Sequence, residues 1–83
     1  MQQGTVNQVA IHPREVIKLA VNKGAVSIVL VHNHPSGDVT PSKADIDITK
    51  QIKVAAEMLD IHLLDHIIVS KNITYSFKDH GII

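Results

Sequence analysis

Apolar residues fall in successive blocks whose spacing predicts a small mixed α/β domain. Val6, Val9 and Ile11 alternate loosely between Gly4 and Ile11, the pattern of an irregular strand or an extended lead-in. Pro13 suits the first position of a helix, since its missing N–H would be unpaired there anyway. Val16, Ile17, Ala20 and Val21 then recur at helical spacing, and Gly24 supplies a stop. Ala25 to Val31 is apolar except for Ser27 and runs into His32, as expected of a central strand covered on both faces. From Ser42 onward, Ile46, Ile52, Ala55, Ala56 and Leu59 mark one side of a long helix that ends at Asp60-Ile61. His62 to Ser70 reads as a second buried strand, joined by a tight turn at Lys71-Asn72 to Ile73–Phe77, so these two segments should form a hairpin. The order is strand, helix, strand, helix, strand, strand, without internal repeat or linker, and residues 1–83 form one domain.

Composition narrows the chemistry. The core of an 83-residue chain with Tyr75 and Phe77 as its only aromatics must be aliphatic, with little apolar area to spare. No cysteine is present, so a metal would have to be held by histidine and carboxylate oxygen. Formal charge is balanced, and Arg14 and seven lysines are scattered, so no basic face for nucleic acid is visible. No apolar run is long enough to span a membrane, and Met1-Gln2-Gln3 does not open a signal peptide, which makes the expected setting cytoplasmic.

Candidate chemistry concentrates between His32 and Asp45, which reads His-Asn-His-Pro-Ser-Gly-Asp-Val-Thr-Pro-Ser-Lys-Ala-Asp. His32 and His34 lie two apart where a buried strand surfaces, so their imidazoles can aim at one point. The turn formers from Pro35 to Pro41 reverse the chain, and a helix starting near Ser42 brings Asp45 round in its first turn. Two imidazoles and a carboxylate make a three-ligand zinc site whose fourth position is open to water, the pattern of a catalytic site.

Blander readings stand beside this one. Ser42-Lys43-Ala44-Asp45 also fits a capping box, although Thr40 before Pro41 could cap the helix and leave Ser42 and Asp45 for other work. Two buried core histidines at one strand end would each need separate hydrogen-bond partners, which a shared metal satisfies together. His66 next to Asp65 reads as a histidine bonded to its surroundings before it reads as support for a metal. Asp38 reads as a turn former, and His12, His62 and His80 carry no motif.

The spacing of His32, His34, Ser42 and Asp45 resembles the JAMM (MPN-plus) zinc metalloprotease motif. His12-Pro13-Arg14-Glu15-Val16, His32 to Asp38, Pro41 to Asp45 and Leu64 to Val69 resemble the C-terminal domain of RadC-type proteins, a likeness that covers nearly the whole chain from Gly4. The resemblance implies a cytidine-deaminase-like, JAMM-type α/β fold and a Zn2+ cofactor held by His32, His34 and Asp45. It also implies amide or isopeptide hydrolysis of a peptide or protein substrate, with the Ser42 hydroxyl bonding the developing oxyanion. In that family pattern a glutamate on a strand well before the His pair moves the proton. Glu15 and Glu57 do not match its position, so the chain looks like the later part of such a domain, lacking N-terminal strands. Such a piece should bare a sheet edge or an apolar face and recruit another chain, as a homodimer or a larger assembly. The alternatives are a zinc-binding interaction module without turnover and a DNA-repair accessory domain, the latter unsupported by this composition.

Overall fold

The structure, a computed structural model, describes residues 3–7 and 12–83, with side chains from residue 12 onward. The expected apolar positions Val9 and Ile11 lie outside the described residues. The elements are β1 (Gln3–Asn7), α1 (Pro13–Asn22), β2 (Ser27–Asn33), α2 (Lys43–Met58), β3 (His62–Ser70) and β4 (Ile73–Ser76). They reproduce the expected order. β2 pairs in parallel with β1 on one side and β3 on the other, and β4 closes the expected antiparallel hairpin onto β3.

Parallel neighbours need crossover connections, and α1 and α2 are those crossovers. They pack against each other and share one core, with Val16 and Ala20 of α1 meeting Ile28 and Leu30 of β2, Ile52 and Ala56 of α2, and Ile61 and Leu63. This corrects the expectation that β2 is covered on both faces. Ile28 and Leu30 are buried, whereas Val29 and Val31 on the opposite face are only half-buried. Successive right-handed crossovers that advance in one direction across a sheet place both helices on the same side, so no helix among the described residues covers the second face.

Both helices end in the same way. Gly24 N–H reaches Val21 O and Ala25 N–H reaches Ala20 O after α1, while Asp60 N–H reaches Glu57 O and Ile61 N–H reaches Ala56 O after α2. These are Schellman motifs, whose turning residue adopts the left-handed conformation. Gly24 supplies it at φ 64° and Asp60 at φ 57°.

β3 contains one irregularity that matters for the site. Ile28 pairs with Leu63 but Val29 pairs with Asp65, which leaves Leu64 as an extra residue. Strict alternation from the buried Leu63 would turn Asp65 inward. The extra residue shifts the parity, and His66, Ile68 and Ser70 become the buried set.

Candidate metal centre

The site forms where β2 gives way to α2. His32 is nearly enclosed at the end of β2, and His34 follows it by two residues, tied in place by its N–H donating to Val69 O of β3. The two rings meet edge to face with centroids 4.6 Å apart. The intervening turn then folds on itself. Gly37 takes φ 93°, Thr40 N–H donates to Asp38 Oδ1 at 2.9 Å, and the Asp38 carbonyl lies 3.0 Å from His34 Nδ1. A carbonyl only accepts, so His34 carries its proton on Nδ1 and directs the Nε2 lone pair inward.

Asp45 arrives from the other side. Ser42 is the N-cap of α2, its hydroxyl oxygen accepting from Asp45 N–H and its own N–H donating to Asp45 Oδ2, both at 3.0 Å. Thr40 is therefore not the cap. The carboxylate so held faces both imidazoles, with Oδ1 at 3.6 Å from His32 Nδ1 and Oδ2 at 3.6 Å from His34 Nε2. One donor atom from each of the three residues lies within 4.8 Å of the others. Tetrahedral ligands about 2.1 Å from a zinc ion stand roughly 3.4 Å apart, so the residues need move little to share one. Burial acts to raise the Asp45 pKa, but the Ser42 N–H and hydroxyl, helped by His32 and His34, outweigh it and hold the carboxyl below its ordinary value. Asp45 is thus kept as the anion that a cation needs.

A family model for the RadC-like JAB domain matches residues 1–82. The chain belongs to the RadC-like JAB domain family. It is 52% identical over 80 residues to a UPF0758 protein of Chlorobaculum tepidum, covering 96% of this chain and 36% of that protein. Against a UPF0758 protein of Clostridium botulinum the identity is 53% over 81 residues, or 98% of this chain and 35% of the relative. The UPF0758 protein YeeS of Escherichia coli is 51% identical over 80 residues, 96% of this chain and 54% of its own length. The chain spans about a third to a half of the length of these curated relatives. It is a JAMM/MPN-type domain.

The other candidates of the RadC-like JAB domain separate cleanly. Asp38 spends its carboxylate on the Thr40 N–H, which lowers its pKa, and stays outside the three-residue group. Asp65 is a structural clasp that accepts from His66 N–H, Lys78 N–H and the Ser76 hydroxyl, fastening β4 and the residues after it to β3. Glu15 and Glu57 are exposed on α1 and α2. His12 and His62 are exposed as well, and His80 stacks on Tyr75 at 3.9 Å. His66 is fully buried, stacked on Phe77 at 4.3 Å, with Nδ1 2.7 Å from the hydroxyl of Thr49.

Thr49 is the residue that sequence reasoning passed over. It is completely buried on α2 and shares an inward stripe with Asp45, Ile52 and Ala56. The signal was its spacing, four residues after Asp45 and three before Ile52. Among the described residues no helix is long and apolar enough to cross a membrane.

Proposed function

We propose that this domain binds one zinc ion through His32, His34 and Asp45 and serves in hydrolysis of an amide or isopeptide bond in a peptide or protein substrate. The observation that carries the reading is the convergence of the three donors, two of them oriented by bonds within the chain. The Asp38 carbonyl sets the His34 tautomer, and the Ser42 N–H sets the Asp45 carboxylate. Support of ligands by such outer partners tunes metal affinity. Bound zinc would supply a water with a pKa near 7 and polarise the scissile carbonyl.

Ser42 can serve the reaction without leaving its cap. In the capping bond its oxygen accepts from Asp45 N–H, and its hydroxyl proton, which favours the Asp45 carboxylate, can turn to a developing oxyanion. Neither glutamate belongs to the three-residue group, and proton transfer is not assigned to a side chain of this stretch. The balanced charge supports a protein substrate over nucleic acid. Among the described residues β1 is an outer strand of the sheet, and that edge supports a homodimer.

Elemental analysis of the purified domain tests the reading, with one zinc per chain expected. A fluorogenic peptide panel should show negligible turnover by residues 1–83 and a gain when an upstream extension supplies a glutamate. A domain that binds no zinc at micromolar concentration would remove the basis of the proposal.

A further inference from the structure

His32 comes from β2, His34 follows the end of that strand and bonds β3, and Asp45 comes from a helix, so the site depends on where the start of α2 sits relative to the strands. The capping box does not set that position. Its bonds join Ser42 to Asp45 and fix the carboxylate with respect to its own helix. A separate chain of bonds crosses from the helix to the sheet. Thr49 donates its hydroxyl proton to the Asp45 carbonyl at 2.6 Å, and the same oxygen stands 2.7 Å from His66 Nδ1. A hydroxyl has one proton and a carbonyl can only accept, so His66 must be the donor in the second bond. The order is then His66 Nδ1–H to Thr49 Oγ1, and Thr49 O–H to the main chain of Asp45.

We propose that Thr49 and His66 are positioning residues for Asp45, a buried arm from β3 that fixes where α2 presents its carboxylate to the two imidazoles. This rests on the metal-centre reading and extends it to residues that touch no ligand themselves. Three observations distinguish the arm from ordinary packing. The His66 ring is stacked on Phe77 with its plane tilted only 18° from that ring. It is turned inward by the extra residue at Leu64, without which Asp65 would occupy the inner face. Among the described residues its Nε2 is buried without a hydrogen-bond partner. A buried acceptor left unpaired weakens a fold, and an aliphatic side chain there would avoid that loss. His66 is therefore a poor choice for stability and a good one for holding Thr49, and through it the Asp45 main chain, at a fixed depth.

The test is zinc and cobalt titration of the wild-type domain, Thr49→Val, Thr49→Ser and His66→Leu, at a temperature where circular dichroism shows each fully folded. Thr49→Val keeps the shape and loses the hydroxyl. Expected are metal dissociation constants raised at least about 10-fold for Thr49→Val and His66→Leu, with altered visible bands of bound cobalt, and recovery to near wild type in Thr49→Ser. His66→Leu keeps an apolar contact for Phe77, so it carries the test if Thr49→Val does not fold. Wild-type affinity and spectra in Thr49→Val and His66→Leu would show that the arm is packing alone and overturn the proposal. Failure of the wild-type domain to bind either metal would instead overturn the metal-centre reading beneath it.

Discussion

The two crossovers of this domain are built alike and used differently. Each helix carries a carboxylate at the third position of its first turn, Glu15 in α1 and Asp45 in α2. In α1 the N-cap His12 makes no side-chain cap bond, Pro13 sets the first helical residue, and Glu15 is exposed. In α2 the carboxylate is bonded back to Ser42 and faces His32 and His34. The inner residues follow the same division, with only Val16 and Ala20 fully buried along α1 and Thr49 placed among Ile52 and Ala56 in α2. Where a helix needs only to begin, a proline and the helix dipole suffice. A carboxylate that must also present itself to two imidazoles calls for a cap that fixes its rotamer. Capping and ligation are therefore not rival accounts of Asp45, because Oδ2 takes the Ser42 N–H while Oδ1 remains directed at His32.

The sharpest break of this comparison removes each carboxylate in turn. Asp45→Ala should weaken zinc binding by more than about 100-fold and cost α2 about 1 kcal/mol of capping. Glu15→Ala should leave zinc binding unchanged and cost only about 0.3 kcal/mol in dipole energy. Calorimetric titration and denaturant unfolding separate the two quantities. Zinc affinity retained in Asp45→Ala would reduce the residue to a cap.

Acid should expose the difference between the helices next. Burial, with the charge of His32 secondary, lowers the His66 pKa to about 4, so the folded state holds a neutral imidazole that the unfolded chain protonates below about 6.5. The folded pKa is the depressed one. The stability linked to it is therefore complete above about 6.5 and is lost as the pH falls toward 4, by up to about 1.4 kcal/mol per pH unit. His66→Leu lacks that slope, and on moving from pH 7 to pH 5 it should gain about 2 kcal/mol relative to wild type in urea unfolding without metal. Parallel pH profiles for the two proteins would show that His66 is not desolvated as its burial implies.

Ser42→Ala has a smaller effect. It should cost about 1 kcal/mol of stability, since the Asp45 N–H loses its side-chain acceptor. The Ser42 main-chain N–H still donates to Oδ2, so zinc affinity should fall by less than about 10-fold. A loss as large as that of Asp45→Ala would mean that the hydroxyl, not the main chain, orients the carboxylate.

The element order was legible because the apolar period changes cleanly from strand to helix and because Gly24 and Pro41 punctuate it. The meeting of His32, His34 and Asp45 was legible for a related reason, the two-residue period of a strand end followed by a turn-forming run. The supporting residues were not. Thr49 breaks the apolar pattern that identifies an inward face, and the inward turn of His66 depends on one extra residue at Leu64, which alternation cannot foresee because Leu64 is itself apolar and yet 41% exposed. The one-sided cover of β2 was hidden too, since Ile28, Val29, Leu30 and Val31 are all apolar whichever face they serve. Handedness of the crossovers decides that, and no local pattern encodes it.

The smallest prediction concerns the ends that the helices share. Gly24 and Asp60 occupy the same place in two Schellman motifs, at φ 64° and φ 57°. A side chain in this region crowds the following carbonyl by roughly 1–2 kcal/mol, less for Asp, which can bond locally. Glycine avoids the crowding but loses about 0.5–1 kcal/mol more conformational entropy on folding. Asp60→Gly should therefore stabilise the domain by about 0.5 kcal/mol, visible as a higher urea midpoint with unchanged slope. Gly24→Ala imposes the crowding without compensation and should destabilise by about 1 kcal/mol. Asp60 lies beyond the end of α2 remote from Asp45, so its replacement should leave zinc affinity as it was. A change in affinity would mean that the far end of the helix helps to set the depth at which its carboxylate is held, and that the Thr49–His66 arm does not fix it alone.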